Sequence, residues 1–425
     1  MTNRHLEKIT GHAGELPDGW SIEPLSKIVR IANGQVLPTD PEYSGLPHIG
    51  PENIESSSGR IVGVKTAKEL GLISGKYLFD EEALVYAKIR PNLNKVAKPG
   101  FKGLCSADAY PIWPKESVSA DYLLQFLLSS YFVRQAVAVS MRTGLPKVNR
   151  EDLNALWIIC PPRNEQDEIA EKLSGWDSAV SLVGRLIAAK QEHHKGLMQQ
   201  LLSGKRRFPG FISSEERIEV RWGSYPADWQ YLPIGDIAEQ VSGKNRDGSE
   251  LPVLSCTKHH GLVDSLKYFG KQVFSTDLST YKIVRRNQFA YATNHIEEGS
   301  IGYQDIYDEA VISPMYTVFN TGDDINDRFL YLVLKTELYR HIFEANTSAS
   351  VDRRGSLRWK EFSKIHVPVP SLDEQRAIVE IFDCCDRELK LLRQQLDAFK
   401  EQKKGLMQQL LSGKVRVKPA KEAVA

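Results

Sequence analysis

Side chains able to contact a polyanion or the edges of bases gather in a few short stretches of this chain. In Tyr86-Ala-Lys-Ile-Arg-Pro-Asn-Leu-Asn-Lys95 the residues Lys88, Arg90, Asn92, Asn94 and Lys95 follow directly on a β-rich run. A glycine-containing stretch, Arg142-Thr-Gly-Leu-Pro-Lys147, adds Arg142 and Lys147. Farther along, Phe289–Thr293 leads into Asn294 and His295 at a place that aligns with the first stretch but lacks its positive charges. Lys258, His259 and His260 form another polar stretch, and Ser350-Val-Asp-Arg-Arg-Gly355 supplies Arg353 and Arg354. Arginine, lysine and asparagine carry the donors and acceptors that suit phosphates and base edges. Any one stretch is equally a solvated surface loop; recurrence at equivalent places is what points to a nucleic acid.

Catalytic patterns are missing from the sequence. There is no GxxxxGK[ST] phosphate loop, since Gly71-Leu-Ile-Ser-Gly-Lys76 is one residue short and is followed by Tyr77. HExxH, GxSxG, GxGxxG and paired CxxC patterns do not occur. The doublets His193–His194 and His259–His260 place neighbours in different directions, which makes poor chelates. No metal site is expected, and His193–His194 is read as part of a solvated or polar helix layer. The chain reads as a binder and not as an enzyme.

The elements that would position these stretches come in two copies. Lys195–Lys205 and Lys404–Lys414 are the same string, KGLMQQLLSGK, 209 residues apart. The same offset places Pro17 and Trp20 on Pro226 and Trp229, Pro161 on Pro370, and Glu165–Gln166 on Glu374–Gln375. A period this long means two similar domains and not a solenoid. Each copy begins with a mixed segment, Glu15–Cys160 and Ser224–Val369, with short β-rich runs and one helical stretch (Tyr122–Val139; Phe329–Ala345). A long helix follows. In the second copy it opens at a capping box, Ser371-Leu-Asp-Glu374. Its apolar residues, from Ile378, Phe382, Cys385 and Leu389 to Leu406 and Leu410, alternate steps of four and three, broken at Lys403. The first copy repeats the seam from Ile169 to Leu201, with breaks at Lys190 and His194. Each helix, of about 39 residues, is about 58 Å long. The narrow seam argues that the two helices pair antiparallel, with one head at each end.

At 425 residues and a net charge of +1, the chain has room for two domains and no overall basic coat. Five cysteines without a pairing pattern and the absence of an apolar membrane-length run point to a cytoplasmic protein. Met1–Glu15 is polar and is expected to be a loose arm.

The doubled GLMQQLLSGK after a long helix resembles the specificity subunits of Type I restriction–modification enzymes. So do the openings Leu16-Pro-Asp-Gly-Trp20 and Tyr225-Pro-Ala-Asp-Trp229, and the passage Thr143-Gly-Leu-Pro-Lys-Val-Asn-Arg-Glu-Asp-Leu153 leading to Cys160-Pro-Pro and Glu165-Gln166. The resemblance implies a mixed α/β (α+β) fold with two target-recognition domains, 1–160 and 206–369. Two conserved spacer helices, 161–205 and 370–414, would form an antiparallel coiled coil with a pseudo-two-fold internal repeat, ahead of a tail, 415–425. Each head would read half of a bipartite double-stranded DNA target through the major groove, and the coil would set the gap. Two modification subunits would dock on the helices and methylate adenine N6. Their cofactor, S-adenosylmethionine, would sit on those partners and none on this chain. Two restriction subunits, ATP-driven translocases with nuclease activity, are further partners the family allows. The second head replaces Gly-Leu-Pro-Lys by Val-Asp-Arg-Arg-Gly-Ser-Leu at Val351–Leu357, which loosens any transfer of role from Lys147 to Arg353 or Arg354. Some 20 positions of Pro161–Lys205 and Pro370–Lys414 are identical while the heads diverge, so one partner species and an asymmetric target are expected. Helix length limits the separation of half-site centres to about 17 base pairs. The competing reading is a two-headed protein–protein adaptor without DNA specificity.

Overall fold

The computed structural model describes residues 6–7, 9–11, 15–140, 146–347 and 356–417. It divides into two units, Met1–Arg185 with Arg393–Ala425, and Leu186–Leu392. The division falls in the middle of each long helix and not at the head–helix borders.

In the first unit, Ser21–Pro24 pairs antiparallel with Trp157–Cys160, which brings the two ends of the head together. An antiparallel sheet runs in the order Val29–Ile31, Ala109–Pro114, Leu84–Ala87, Val96–Ala97. A second sheet, in the order Lys65–Thr66, Pro47–Ile49, Gly103–Cys105, Tyr77–Phe79, has one parallel pairing, between Pro47–Ile49 and Gly103–Cys105. The unbroken apolar run Leu84–Ala87 follows from burial on both faces. Leu84 and Tyr86 point into the helix-backed core, and Val85 points into a smaller core with Ile49, Ile54 and Phe79.

The second unit repeats this plan. Gln230–Pro233 pairs with His366–Val369. The sheets run Ala238–Val241, Tyr316–Thr321, Phe289–Ala292, Ile301–Tyr303, and Gly261–Asp264, Val253–Thr257, Glu309–Ile312, Lys282–Arg285. Phe289 and Tyr291 face one core and Ala290 the other. A hairpin of Arg217–Val220 with Gly223–Pro226 precedes it.

The single helical stretch expected in each head is two helices. Ala120–Leu128 and Ser130–Ser140 meet at a 63° bend, because Ser129 adopts an extended backbone. Asp327–Leu334 and Glu337–Asn346 break likewise, with Thr336 capping the second helix by accepting from the Tyr339 N–H. Within Met1–Glu15, expected to be a loose arm, the described residues Leu6 and Ile9 are buried in the first unit's core.

The long helices, Arg163–Leu201 and Leu372–Leu410, pack antiparallel within each unit. In the first, Trp176 meets Phe399 edge-on at 5.6 Å, and the Lys403 ammonium, buried in the seam, pairs with Asp177 at 2.6 Å. In the second, Lys190 pairs with Glu388 at 2.8 Å, and His194 lies 3.5 Å from Asp386 and edge-on to Phe382. Lys190, His194 and Lys403, the breaks in the apolar pattern, are therefore cross-helix polar layers.

The repeated string ends each helix and enters a head. Leu201 and Leu202 join the core around Trp229, while Met407, Leu410 and Leu411 join that around Trp20. Gly204 and Gly413 have φ of +61° and +75°, and the N–H groups of Arg206 and Val415 close back onto the carbonyls of Gln200 and Gln409. These glycines also admit the Pro-x-x-Trp segment. A Cβ on Gly204 would lie 2.5 Å from Pro226, and one on Gly413 would lie 2.6 Å from Pro17. The expected capping box forms only in part: Ser371 Oγ accepts from the Glu374 N–H, but the Glu374 carboxylate turns instead to Arg207 and Trp229.

Candidate nucleic-acid interface

In the first head the central strand Leu84–Ala87 continues into Lys88, Ile89 and Arg90, and that extension pairs with the backbone of 146–148. The Arg90 N–H donates to the Pro146 carbonyl and the Val148 N–H to the Lys88 carbonyl, both at 2.8 Å, with Ile89 bridged to Lys147. Lys88, Arg90 and Lys147 thus share one rim, with Arg90 and Lys147 exposed. Tyr110, on the neighbouring strand, carries the Lys88 ammonium 5.0 Å and the Arg150 guanidinium 5.5 Å from its ring centroid. Arg90 and Asn94, at φ of +48° and +49°, bracket a single turn, Pro91–Leu93, that exposes Asn92.

Two residues of the sequence-derived set are held by hydrogen bonds within the head. Asn94 is buried, and its amide donates to the Leu128 carbonyl at 2.7 Å, so it ties the turn to the helix behind it. The half-buried Lys95 donates to the Pro51 carbonyl at 2.6 Å. Arg142 lies outside the described residues, as do Arg353 and Arg354 of the second head.

The second head builds the same rim from different side chains. Phe289–Ala292 continues into Thr293, Asn294 and His295, and the Leu357 N–H donates to the Thr293 carbonyl as Val148 does to Lys88. The turn that follows, Ile296–Glu298, ends in Gly299 at φ +91° where the first head has Asn94. Thr293, His295 and Glu297 therefore occupy the places of Lys88, Arg90 and Asn92. The His295 Nδ1 lies 3.3 Å from Glu298 Oε1. Ligand atoms of His295, Glu297 and Glu298 fall within 4.8 Å of one another, the one grouping among the described residues with metal-ligand chemistry. The tie that Asn94 makes in the first head is made here by Lys335. Its ammonium donates to the carbonyls of Lys258 and Gly299, both at 2.9 Å, and burial lowers its pKa. Lys258, His259 and His260 are exposed on the turn so held.

Beside this rim Asn294 shares a shallow depression with Gln240, Lys282, Met315, Arg358 and Lys360. Arg358, Lys360, Gln240 and Met315 are exposed, and Lys282 donates to the Tyr316 carbonyl. Sequence reading missed these residues, along with Tyr110 and Arg150. Arg358 and Lys360 follow the Arg353–Arg354 stretch directly, and that cluster of charge was the available signal. Lys282 and Gln240 come from distant strands, and only the fold brings them to the depression.

Three of the five free cysteines are shielded thiols. Burial pushes the Cys160 and Cys256 thiols up to about 12 and raises Cys105 further. Lys76, at the end of the loop that falls short of a phosphate cradle, is buried and donates to Ser74.

The profile of the family described as Type I restriction modification DNA specificity domain matches twice, over residues 17–189 and 226–401. The Type I restriction enzyme EcoDI specificity subunit of Escherichia coli is 31% identical over 204 residues, covering 48% of this chain and 45% of that protein. The MjaVIII specificity subunit of Methanocaldococcus jannaschii is 24% identical over 430 residues, covering 96% and 95%. Among solved structures, the HsdS subunit from Thermoanaerobacter tengcongensis shares the fold at a TM-score of 0.50 and 19% identity, over 95% of this chain and 99% of that one. The Type I restriction–modification S subunit from M. genitalium does so at 0.54 and 16%, over 93% and 98%. With both heads and most of both long helices matched, the chain belongs to the family of Type I restriction–modification DNA specificity subunits.

Proposed function

We propose that each head reads one half of an asymmetric bipartite DNA target, and that the helices carry two adenine-N6 methyltransferase subunits. The chain is the non-catalytic DNA-recognition subunit of a Type I restriction–modification system. S-adenosylmethionine belongs to the methyltransferase partners in this reading, and ATP-driven restriction subunits are further partners that the family allows. The setting is the cytoplasm; no single helix among the described residues is long and apolar enough to cross a membrane.

The observation that carries the reading is the pair of equivalent rims with unlike chemistry. Lys88, Arg90 and Lys147 beside Tyr110 and Arg150 stand in one head, and Asn294 and His295 beside Arg358 and Lys360 in the other. The same frame presenting different donors is what two different half-sites require. In this proposal Lys88, Arg90, Asn92, Lys147, Lys258, His259, His260, Asn294 and His295 face DNA, joined by Arg150, Arg358 and Lys360. The adaptor alternative accounts for neither the rims nor the family.

Methylome sequencing of a host carrying this chain and its modification subunits tests the proposal. One bipartite adenine-methylated motif with unlike halves is expected, and exchanging the first head should change one half only. A motif that changed in both halves would sink the modular reading. The purified chain alone, given DNA, magnesium and S-adenosylmethionine, should turn nothing over.

A further inference from the structure

The second head carries an exposed aromatic ridge that the rims do not explain. Ser265–Phe269 is a five-residue helix pinned at both ends. The Asp264 carboxylate accepts from the Lys267 N–H, and Gly270 closes the helix at φ +64°. Its side chains Leu266, Tyr268 and Phe269 are 53%, 48% and 42% exposed. The rings brace one another: Phe269 lies edge-on to Tyr268 at 5.0 Å, and Tyr268 lies near His260 at 5.7 Å. Large apolar side chains held rigidly in solvent mark a contact surface.

Two observations favour DNA as the occupant. The ridge is continuous with the proposed reading rim, since His260 closes the turn whose Lys258 carbonyl Lys335 holds against Gly299, directly after the His295 turn. It is also flanked in the chain by the exposed Lys258 and Lys271, while Lys267 between them is paired with Asp264 at 3.5 Å. Aromatic rings beside cations are the combination that stacks on bases while the charges meet phosphate. The corresponding region of the first head exposes aliphatic residues instead, Val62, Leu70 and Ile73.

We propose that Tyr268 and Phe269 form a wedge that partly unstacks a base step at the edge of the second head's half-site. This rests on the DNA-reading function above and assigns an added element to it. The rings brace one another before binding, so little ordering is left to oppose the contact, and the deformability of the step becomes part of what the second head reads.

The test uses the full chain co-expressed with its modification subunits and a duplex carrying the motif found by methylome sequencing. A 2-aminopurine is placed at successive steps along the second half-site. Tyr268→Ala with Phe269→Ala should weaken target binding by roughly tenfold or more. It should leave the salt slope unchanged, because no phosphate contact is lost, and should abolish a fluorescence increase confined to one step. Tyr268→Trp should keep that increase, and serves as the arm that does not depend on the double variant folding. Overturning results are binding within twofold of the parent, fluorescence that never rises with the parent protein, or loss of the modification subunits with DNA affinity intact, which would make the ridge a protein-docking face. Failure of the parent to bind DNA in a salt-dependent way would instead remove the DNA-reading function itself.

Discussion

Arg207→Ala is expected to destabilise the unit Leu186–Leu392 far more than Arg416→Ala destabilises the other unit, although the two arginines are equivalent in the repeat. Arg207 forks onto Glu374, with Nε to Oε1 and an Nη to Oε2 both at 2.8 Å. It also reaches Asp228 at 2.7 Å and the Phe211 carbonyl at 2.7 Å, and Trp229 Nε1 donates to the same Glu374 oxygen at 3.0 Å. The side chains of Arg207 and Glu374 are 6% and 1% exposed. Arg416 pairs with Glu165, which also accepts from Trp20 Nε1 at 3.2 Å, but its own side chain is 47% exposed and its place beside Trp20 has Gly19 where Asp228 stands.

Removing Arg207 strands the Glu374 carboxylate in the protein interior, where breaking a buried pair costs about 3–5 kcal/mol. Glu165 is also deeply set, with its side chain 5% exposed, but the arginine that covers it is half-exposed, so removing Arg416 opens the carboxylate to water and the loss is smaller. Calorimetry of the full chain, with hydrogen exchange followed at the Trp20 and Trp229 segments, reads the units separately. For a unit of this size each kcal/mol moves the midpoint by roughly 2–4 °C. Arg207→Lys should recover only part of the loss, because an ammonium cannot fork onto a carboxylate. Equal effects of the two alanine variants, or an Arg207→Ala loss below about 1 kcal/mol, would refute the argument that burial sets the strength of the pair.

Burial tends to raise the Asp228 carboxyl, but hydrogen bonds from Ser213 and Arg207 outweigh it and hold it at about 2 against an ordinary 3.8. A lowered pKa stabilises the fold above the unfolded value and is lost as pH falls through the folded one. Urea midpoints between pH 5 and 2 should therefore drop more steeply for the parent than for Asp228→Asn; identical slopes would count against the assignment. Asp177→Ala should destabilise the first unit by roughly 2–3 kcal/mol, by leaving the seam-buried Lys403 unpaired, whereas Asp177→Leu with Lys403→Leu should stay nearer the parent in chemical denaturation. Arg358→Ala and Lys360→Ala should each reduce the slope of log binding constant against log salt by about 1, measured on target duplex. An unchanged slope would place those side chains away from phosphate.

The duplication, the seam and the head–helix order were legible because they are periodic: a 209-residue offset and alternating steps of four and three survive without any alignment. Even the breaks in the seam carried information, since Lys190 and Lys403 interrupt it where Glu388 and Asp177 stand across. The helix break at Ser129 was not legible. Neither glycine nor proline marks it, and Ser129 takes its extended backbone with its hydroxyl donating to the Phe126 carbonyl. Site residues were legible only where charge clusters along the chain. Asn94 groups with the contact residues because asparagine carries donors and acceptors that suit base edges, but from the left-handed turn at φ +49° its amide donates inward to the Leu128 carbonyl. Lys282 and Gln240 reach the depression through sheet pairing of distant strands, which a local pattern cannot convey.

The identity of the repeated string also has a more specific cause than its sequence suggested. Leu201, Leu202 and Gly204 in one copy, and Leu410, Leu411 and Gly413 in the other, are packed in the core around the same Pro-x-x-Trp segment, so packing accounts for the likeness of these positions. What packing leaves free includes the exposed glutamines, Gln199 and Gln200 in one copy and Gln408 and Gln409 in the other, and the exposed lysines at the ends of each string, Lys195 and Lys205, Lys404 and Lys414. Those are the positions at which a common docking surface has to be sought. The heads show the converse: Asn94 and Lys335 make the same tie by different chemistry, so the frame of the rim is kept while its side chains change. On the proposed function, a head would acquire a new half-site by exchanging rim residues without disturbing the strand that carries them or the helix behind it.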